Sequence, residues 1–268
     1  MVTEITSKNN LNIKHVKKII SCSKTRKQEN LFAIDGTKLL EEALKNNIKI
    51  KKIFYTQKYL DKNILLINKI RKNYKAEEFL ISEDIMNNIS ETETPQGIIC
   101  VCEFINKNIN TNNLDLYNKI IFLDNIQNPM NLGSIFRSLN AFGIDLVILN
   151  TQSCDIYNPK VLRSSMGSIF RLNIIFEDNL NIIRSLKSQG FKLFATAPGI
   201  NSKNINILHE NDKLVVVLGN EGNGVSQEVM DICEDAVSIP MKNNCESLNV
   251  AVATGIIAWE ISRHQKQK

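Results

Sequence analysis

A chain of 268 residues, 43% hydrophobic and 23% charged, suits one large or two modest domains and has an ordinary globular composition. No apolar run approaches the roughly 20 residues that cross a bilayer, and the polar segment Met1–Asn10 has no secretory apolar core. Six cysteines (Cys22, Cys100, Cys102, Cys154, Cys233, Cys245) without a CxxC pair, distant from His15, His209 and His264, argue against a metal site and read as reduced, cytoplasmic core residues.

The charge is unevenly placed. Residues 1–75 hold 18 Lys and Arg against 6 Asp and Glu, whereas residues 116–268 hold 14 against 14. This is either a solvated basic face or a polyanion-binding module attached to a near-neutral domain.

In chain order, Ile13 to Ser21 has helical periodicity, and Ser21 to Lys27 reads as a polar basic loop. A strand is predicted at Leu31–Ile34, then a turn at Gly36 and a helix Lys38–Lys45 capped by Thr37. Strands at Ile48–Tyr55 and Ala76–Ile81 flank a lysine-rich helix around Leu60–Lys72, and Gly97–Cys102 closes an α/β unit over 1–105. The Asn-rich stretch 106–118 reads as a linker.

From 119 to 268 apolar strands alternate with helices. The strands are Ile120–Leu123, Leu146–Leu149, Leu172–Phe176, Lys192–Ala197, Leu214–Leu218 and Val237–Ile239. The helices are Asn131–Phe142, Pro159–Phe170, Leu180–Gln189, Ser226–Glu234 and Ser247–His264. Such alternation implies a mainly parallel sheet covered on both faces, with ligands beyond the carboxyl ends of its strands. The polar stretches after Leu123, Leu218 and Ile239 are therefore where chemistry is sought.

After Leu123 comes a run in which Asn131 suits a helix N-cap, Gly133 allows close backbone approach, and Arg137 follows six residues later. After Leu218 comes Gly219–Asn220–Glu221–Gly222–Asn223–Gly224, which matches neither a Walker loop nor the G-x-G-x-x-G fingerprint. After Ile239, Ser247 suits the N-cap of an almost wholly apolar last helix, expected to be buried in the core or against a partner subunit. Asn249 enters that apolar setting and must be hydrogen-bonded, either as a loop tie or as an amide aimed at a ligand.

Taken together, NPMNLGSIFRSLNAFG (128–143), VVVLGNEGNGVS (215–226) and IPMKNNCESLNVAVA (239–253) resemble the three signature motifs of the SpoU/TrmH family of RNA ribose 2′-O-methyltransferases, in the trefoil-knotted SPOUT class. NPKVLRSSMGSIFRL (158–172) resembles the family's intervening segment, and LFAIDGTKLLEEAL (31–44) with TPQG (94–97) resembles its ribosomal-protein-like substrate-binding domain. The resemblance implies an α/β chain with a knotted C-terminal domain over 119–268, and S-adenosylmethionine as cofactor. It implies contacts to that cofactor at Ala195, Thr196, Ala197, Leu218, Gly219, Asn220, Ile239, Met241, Leu248, Asn249 and Ala253.

Arg137 matches the family's active-site arginine. Because arginine stays protonated, phosphate positioning is favoured over general-base action. Asn131, Glu221, Ser247 and Asn249 match its remaining polar positions, with Glu221 a candidate anchor for Arg137. Lys160 and Arg163 match basic positions facing phosphate, and Lys24, Arg26 and Lys27 are candidate RNA backbone contacts. The resemblance also implies a homodimer with sites at its interface, and rRNA rather than tRNA as substrate. The alternatives are a tRNA ribose methyltransferase and a non-catalytic RNA-binding or ribosome-assembly protein of the same fold.

Overall fold

The computed structural model describes residues 2–105, 107, 109–111, 114–197, 202–242 and 247–263. The chain condenses into two units, Met1–Asn106 with Asp155–Phe170, and Lys107–Cys154 with Arg171–Lys268. Segment 155–170, expected in the second domain, thus belongs to the first unit. Parts of the expected linker, Cys245 and the expected helix end at His264 lie outside the described residues.

The first unit begins with β1 (Val2–Ile5), α1 (Leu11–Ser21), α2 (Ser23–Glu29), β2 (Leu31–Asp35) and α3 (Thr37–Lys45). It continues through β3 (Ile50–Tyr55), α4 (Gln57–Asn73), β4 (Glu77–Ile81), α5 (Glu83–Ile89) and β5 (Ile98–Glu103). The second unit supplies β6 (Lys119–Leu123), α6 (Pro129–Ala141) and β7 (Leu146–Asn150), after which α7 (Pro159–Ser165) and a 3-10 turn, Ser168–Phe170, return to the first. The second unit ends with β8 (Ile174–Glu177), α8 (Asn181–Ser188), β9 (Lys192–Thr196), β10 (Lys203–Asn204), β11 (Leu214–Leu218), α9 (Gln227–Met230), β12 (Asp235–Ser238) and α10 (Val250–Ser262).

In the first unit five strands form a mixed sheet, β1-β4-β3-β5-β2. Helix α1 is set by the Asn10 side chain, which accepts from Asn12 N, and by Ile13, Val16 and Ile20, which bury one face. The basic stretch read as a loop is helical instead. The guanidinium of Arg26 in α2 donates to the Ile19 and Ile20 carbonyls at the end of α1, each at 2.7 Å, so tertiary bonding overrides a polar local sequence. Helix α3 lacks the expected Thr37 cap. Its N-cap is Gly36, and the Gln96 side chain accepts from Thr37 N at 2.8 Å. Helix α5 escaped the periodicity reading because it is shorter than two turns. Ser82 caps it, with Glu83 and Asp84 in the first turn, where acidic groups are favoured.

Segment 155–170 is held in this unit by polar and aromatic contacts. Arg26 and Asp155 pair at 2.8 Å, both nearly inaccessible. The Tyr157 ring stacks on Phe32 and Phe104 at centroid distances of 4.7 and 4.0 Å, and its hydroxyl accepts from Ile105 N. Burial pushes the Tyr157 phenol up to about 12, so it stays a neutral, bonded part of the core.

The second unit is built on a seven-stranded sheet, β10-β12-β9-β11-β6-β7-β8, in which every pairing is parallel. Its central strands are continuous apolar runs because both faces are covered. Ile183 and Leu186 of α8 pack into a core with Phe122, Ile148, Leu193 and Val215, and α10 packs against α6. Two caps differ from expectation. Asn128, not Asn131, caps α6, and Asn249, not Ser247, caps α10. Nor is α10 buried all round, since Val252 and Trp259 are 53% and 56% exposed. No described helix is long and apolar enough to cross a membrane.

Candidate active site

The carboxyl ends of β6, β9, β11 and β12 and the start of α10 open on one cavity of about 1220 Å3 within the second unit. Its walls come from the polar stretches singled out in the sequence, because a parallel sheet brings all its strand ends to one edge. The glycine-rich stretch forms a tight hairpin in which Asn220 and Gly224 exchange backbone hydrogen bonds. A Cβ at Gly219 would lie 2.1 Å from the Gly224 carbonyl carbon and the Val225 nitrogen, so only glycine fits.

Side chains fasten this hairpin to the β6–α6 loop. Asn220 Nδ2 donates to the Asn125 carbonyl at 2.8 Å, while its Oδ1 accepts from Gly222 N and Asn223 N. The buried Asp124 carboxylate accepts from Ser226 N at 2.7 Å and from Asn150 Nδ2 at 2.9 Å. A buried carboxylate needs such donors, and here they tie three strand ends together.

A polar ladder crosses the cavity wall. Glu221 accepts from Gln127 N at 3.2 Å, Asn128 N at 3.0 Å and Asn131 Nδ2 at 3.1 Å. Asn131 Oδ1 accepts from Asn249 Nδ2 at 3.0 Å, and Asn249 Oδ1 caps α10 by accepting from Ala251 N and Val252 N. Burial pushes the Glu221 carboxyl up, but its backbone and Asn131 donors outweigh that and hold it below the ordinary carboxylate value. It is a poor proton acceptor at neutral pH.

Of the residues picked out in the sequence, Asn131, Glu221, Ser247 and Asn249 line this cavity. So do Thr196, Ala197, Leu218, Gly219, Asn220, Ile239, Met241, Leu248 and Ala253. Ala195 is buried within β9 and does not line it. Arg137 is exposed on α6, outside the cavity of its own chain and with no ionic partner among the described residues. Glu221 is engaged by Asn131 and loop amides rather than by Arg137.

The largest correction concerns Arg26. At 3% exposure, with its guanidinium committed to Asp155 and two carbonyls, it is a structural cross-link and not an RNA contact. Its neighbours Lys24 and Lys27 are exposed, as is Lys160. Arg163 is half-buried and faces Glu91 at 3.7 Å. Sequence reasoning missed Asp124, Asn150, Gln127 and Asn128. Only Asn128, an Asn before a Pro at a helix start, carried a local signal for its role.

The adenine and methionine halves of S-adenosylmethionine call for apolar walls and for backbone groups approachable at close range. Leu218, Ile239, Leu248 and Ala253 supply the first, and the Gly219 hairpin supplies the second. The residues present fit the cofactor.

Residues 118–259 match the model of the SpoU rRNA methylase family, and residues 10–100 match that of an MRM3-like substrate binding domain. A 23S rRNA (guanosine(2553)-2′-O)-methyltransferase of Bacillus subtilis, RlmP, is 30% identical over 96% of this chain and 98% of its own. An uncharacterized tRNA/rRNA methyltransferase of Synechocystis is 30% identical over 98% and 95%. Among solved structures, an AdoMet-bound rRNA methyltransferase from Sinorhizobium meliloti superposes with a TM-score of 0.87 at 25% identity, covering 99% of both chains. The SpoU methyltransferase AviRb of Streptomyces viridochromogenes shares the fold, with a TM-score of 0.84 at 22% identity over 96% of this chain and 98% of its own.

Proposed function

The chain belongs to the SpoU methylase family of S-adenosylmethionine-dependent RNA methyltransferases, and from that premise we propose that it methylates a ribose 2′-hydroxyl of large-subunit rRNA. One observation carries the reading. A single cavity joins the Gly219 hairpin, suited to the cofactor, to the Glu221–Asn131–Asn249 ladder, suited to a sugar oxygen. The cofactor, when bound, supplies an electrophilic methyl group on a sulfonium. Thr196, Ala197, Leu218, Gly219, Ile239, Met241 and Leu248 hold it, largely through loop backbone and apolar contact. Asn131, Ser247 and Asn249 orient the ribose. Arg137, permanently charged, holds the adjoining phosphate and offsets the charge that develops on the attacking oxygen.

The preference for rRNA rests on the B. subtilis relative, named for that substrate and matched over 98% of its length. Lys24, Lys27, Lys160 and Arg163 are proposed RNA contacts. Arg137 lies outside its own chain's cavity, and the adjoining face of α6 and α10 leaves Met130, Val252 and Trp259 exposed. A second copy of the chain covers this face in the proposed homodimer. The C-terminal trefoil knot belongs to the same reading.

The test is transfer of labelled methyl from S-adenosylmethionine to purified rRNA and tRNA, with ribose-methylation maps from cells with and without the gene. A 2′-O-methyl position in 23S rRNA that disappears with the gene is expected. Unchanged maps in both RNAs refute the proposal, and a lost tRNA position moves the substrate to tRNA. Light scattering should give a dimer that Val252→Asp splits. A monomeric wild-type chain refutes the shared site.

A further inference from the structure

The ladder has a direction, and its two ends set that direction independently. At one end Glu221 is a carboxylate and can only accept, so the Asn131 atom 3.1 Å away is Nδ2. At the other end the backbone N–H groups of Ala251 and Val252 can only donate, so the Asn249 atom facing them at 2.9 and 3.4 Å is Oδ1. The middle bond, Asn249 Nδ2 to Asn131 Oδ1 at 3.0 Å, agrees with both ends. Turning either amide over would set donor against donor or acceptor against acceptor. Asn249 Oδ1 is therefore engaged twice and Asn131 Oδ1 once, and each Nδ2, on a residue that lines the cavity, has a second hydrogen beyond its bond in the ladder.

We infer that Glu221 is a positioning residue for methyl transfer, holding Asn131 and Asn249 so that they present N–H donors to an oxygen of the incoming RNA. The inference rests on the methyltransferase reading above. The recognised group is a lone-pair oxygen, either the ribose hydroxyl oxygen or a phosphate oxygen beside it. Donors placed in this way bind the oxygen and offset negative charge that develops on it.

Asn131→Asp tests the direction. It replaces the donor facing Glu221 with an acceptor and brings two carboxylates together across the 3.1 Å now spanned by the hydrogen bond. Aspartate in the first turn of a helix is otherwise favourable, so any loss reports the Glu221 contact. A proton shared by the pair restores the ladder, and a like-charge pair of this kind retains its proton above the usual carboxylate range.

Relative to wild type, the melting temperature of Asn131→Asp should fall as pH rises from 5 to 8. The double variant Asn131→Asp/Glu221→Gln should lose that dependence. Single-turnover methylation by Asn131→Asp should fall at least about tenfold at pH 8, the scale of one charge-assisted hydrogen bond, and recover toward pH 6. Cofactor Kd by calorimetry should stay within about threefold, less than the loss of one hydrogen bond to the cofactor would cause.

A flat melting profile for Asn131→Asp overturns the polarity, whatever reaction the protein performs. A cofactor Kd weakened tenfold or more overturns the assignment to RNA, because the donors then serve the cofactor's carboxylate. A full rate at pH 8 overturns the positioning role. If wild type methylates no RNA but the melting profile holds, the polarity stands, and the methyltransferase reading fails together with the positioning role that rests on it.

Discussion

Replacing Arg26 with alanine separates a folding role from an RNA-binding role at one position. The guanidinium meets Asp155 Oδ2 through both Nε and Nη2 at 2.8 Å, and its Nη1 donates to the Ile19 and Ile20 carbonyls at 2.7 Å. Alanine leaves Asp155, whose side chain is 11% exposed, with the Ser23 hydroxyl and Tyr157 N as its donors among the described residues, and strips both carbonyls of their guanidinium donor. Removing one partner from a buried ion pair costs about 3–5 kcal/mol, and that is the expected loss in urea unfolding followed by far-UV circular dichroism. Arg26→Met/Asp155→Leu should recover most of it, since no lone charge stays buried. Lys24→Ala and Lys27→Ala should stay within about 0.5 kcal/mol of wild type, yet each should lower the salt dependence of RNA binding by close to one counterion. If Arg26→Ala proves as stable as wild type while weakening RNA binding with a reduced salt slope, the cross-link argument is wrong.

Gly219→Ala should abolish cofactor binding in calorimetry with the circular dichroism spectrum retained, because its Cβ would overlap the hairpin backbone; undiminished affinity refutes the close-packed turn. Arg137→Ala should keep the wild-type melting temperature and cofactor Kd but lose methyl transfer, and near-full turnover removes Arg137 from the reaction. Asp35 has its carboxyl raised, chiefly by burial, against the lowering effect of its Ser90 hydrogen bond and of Arg163. The folded state thus holds this proton more tightly than the unfolded chain. The associated stability is complete below the ordinary value of 3.8 and is lost as pH rises through the raised one. Asp35→Asn should therefore be more stable than wild type at pH 7 and gain nothing at pH 3, as read from melting curves at the two pH values.

Elements with strong apolar patterning were legible in the sequence. Strand β11 was bounded to the residue, and the three polar stretches after Leu123, Leu218 and Ile239 meet in one cavity. What failed was set by distant partners. Helix α2 looks like a loop until Arg26 finds Asp155, more than a hundred residues away. Thr37 looks like a cap until Gln96 does the capping. At α6 and α10 several Asn and Ser residues compete for the N-cap, and local chemistry alone does not rank them. Asp124 and Asn150 gave no signal, because a buried carboxylate is recognisable only once its donors surround it.

The return of α7 to the first unit has a consequence for biosynthesis. Translation delivers residues 1–106 first, but Arg26 must wait for Asp155, and the rings of Phe32 and Phe104 for Tyr157. The second unit, begun at Lys107, is likewise interrupted before half its sheet exists. The first unit therefore cannot be completed until Phe170 has been made, after the second unit has already begun. A proteolytic cut near residue 106 would put Arg26 and Asp155 on separate fragments, joined through non-covalent contacts such as this ion pair.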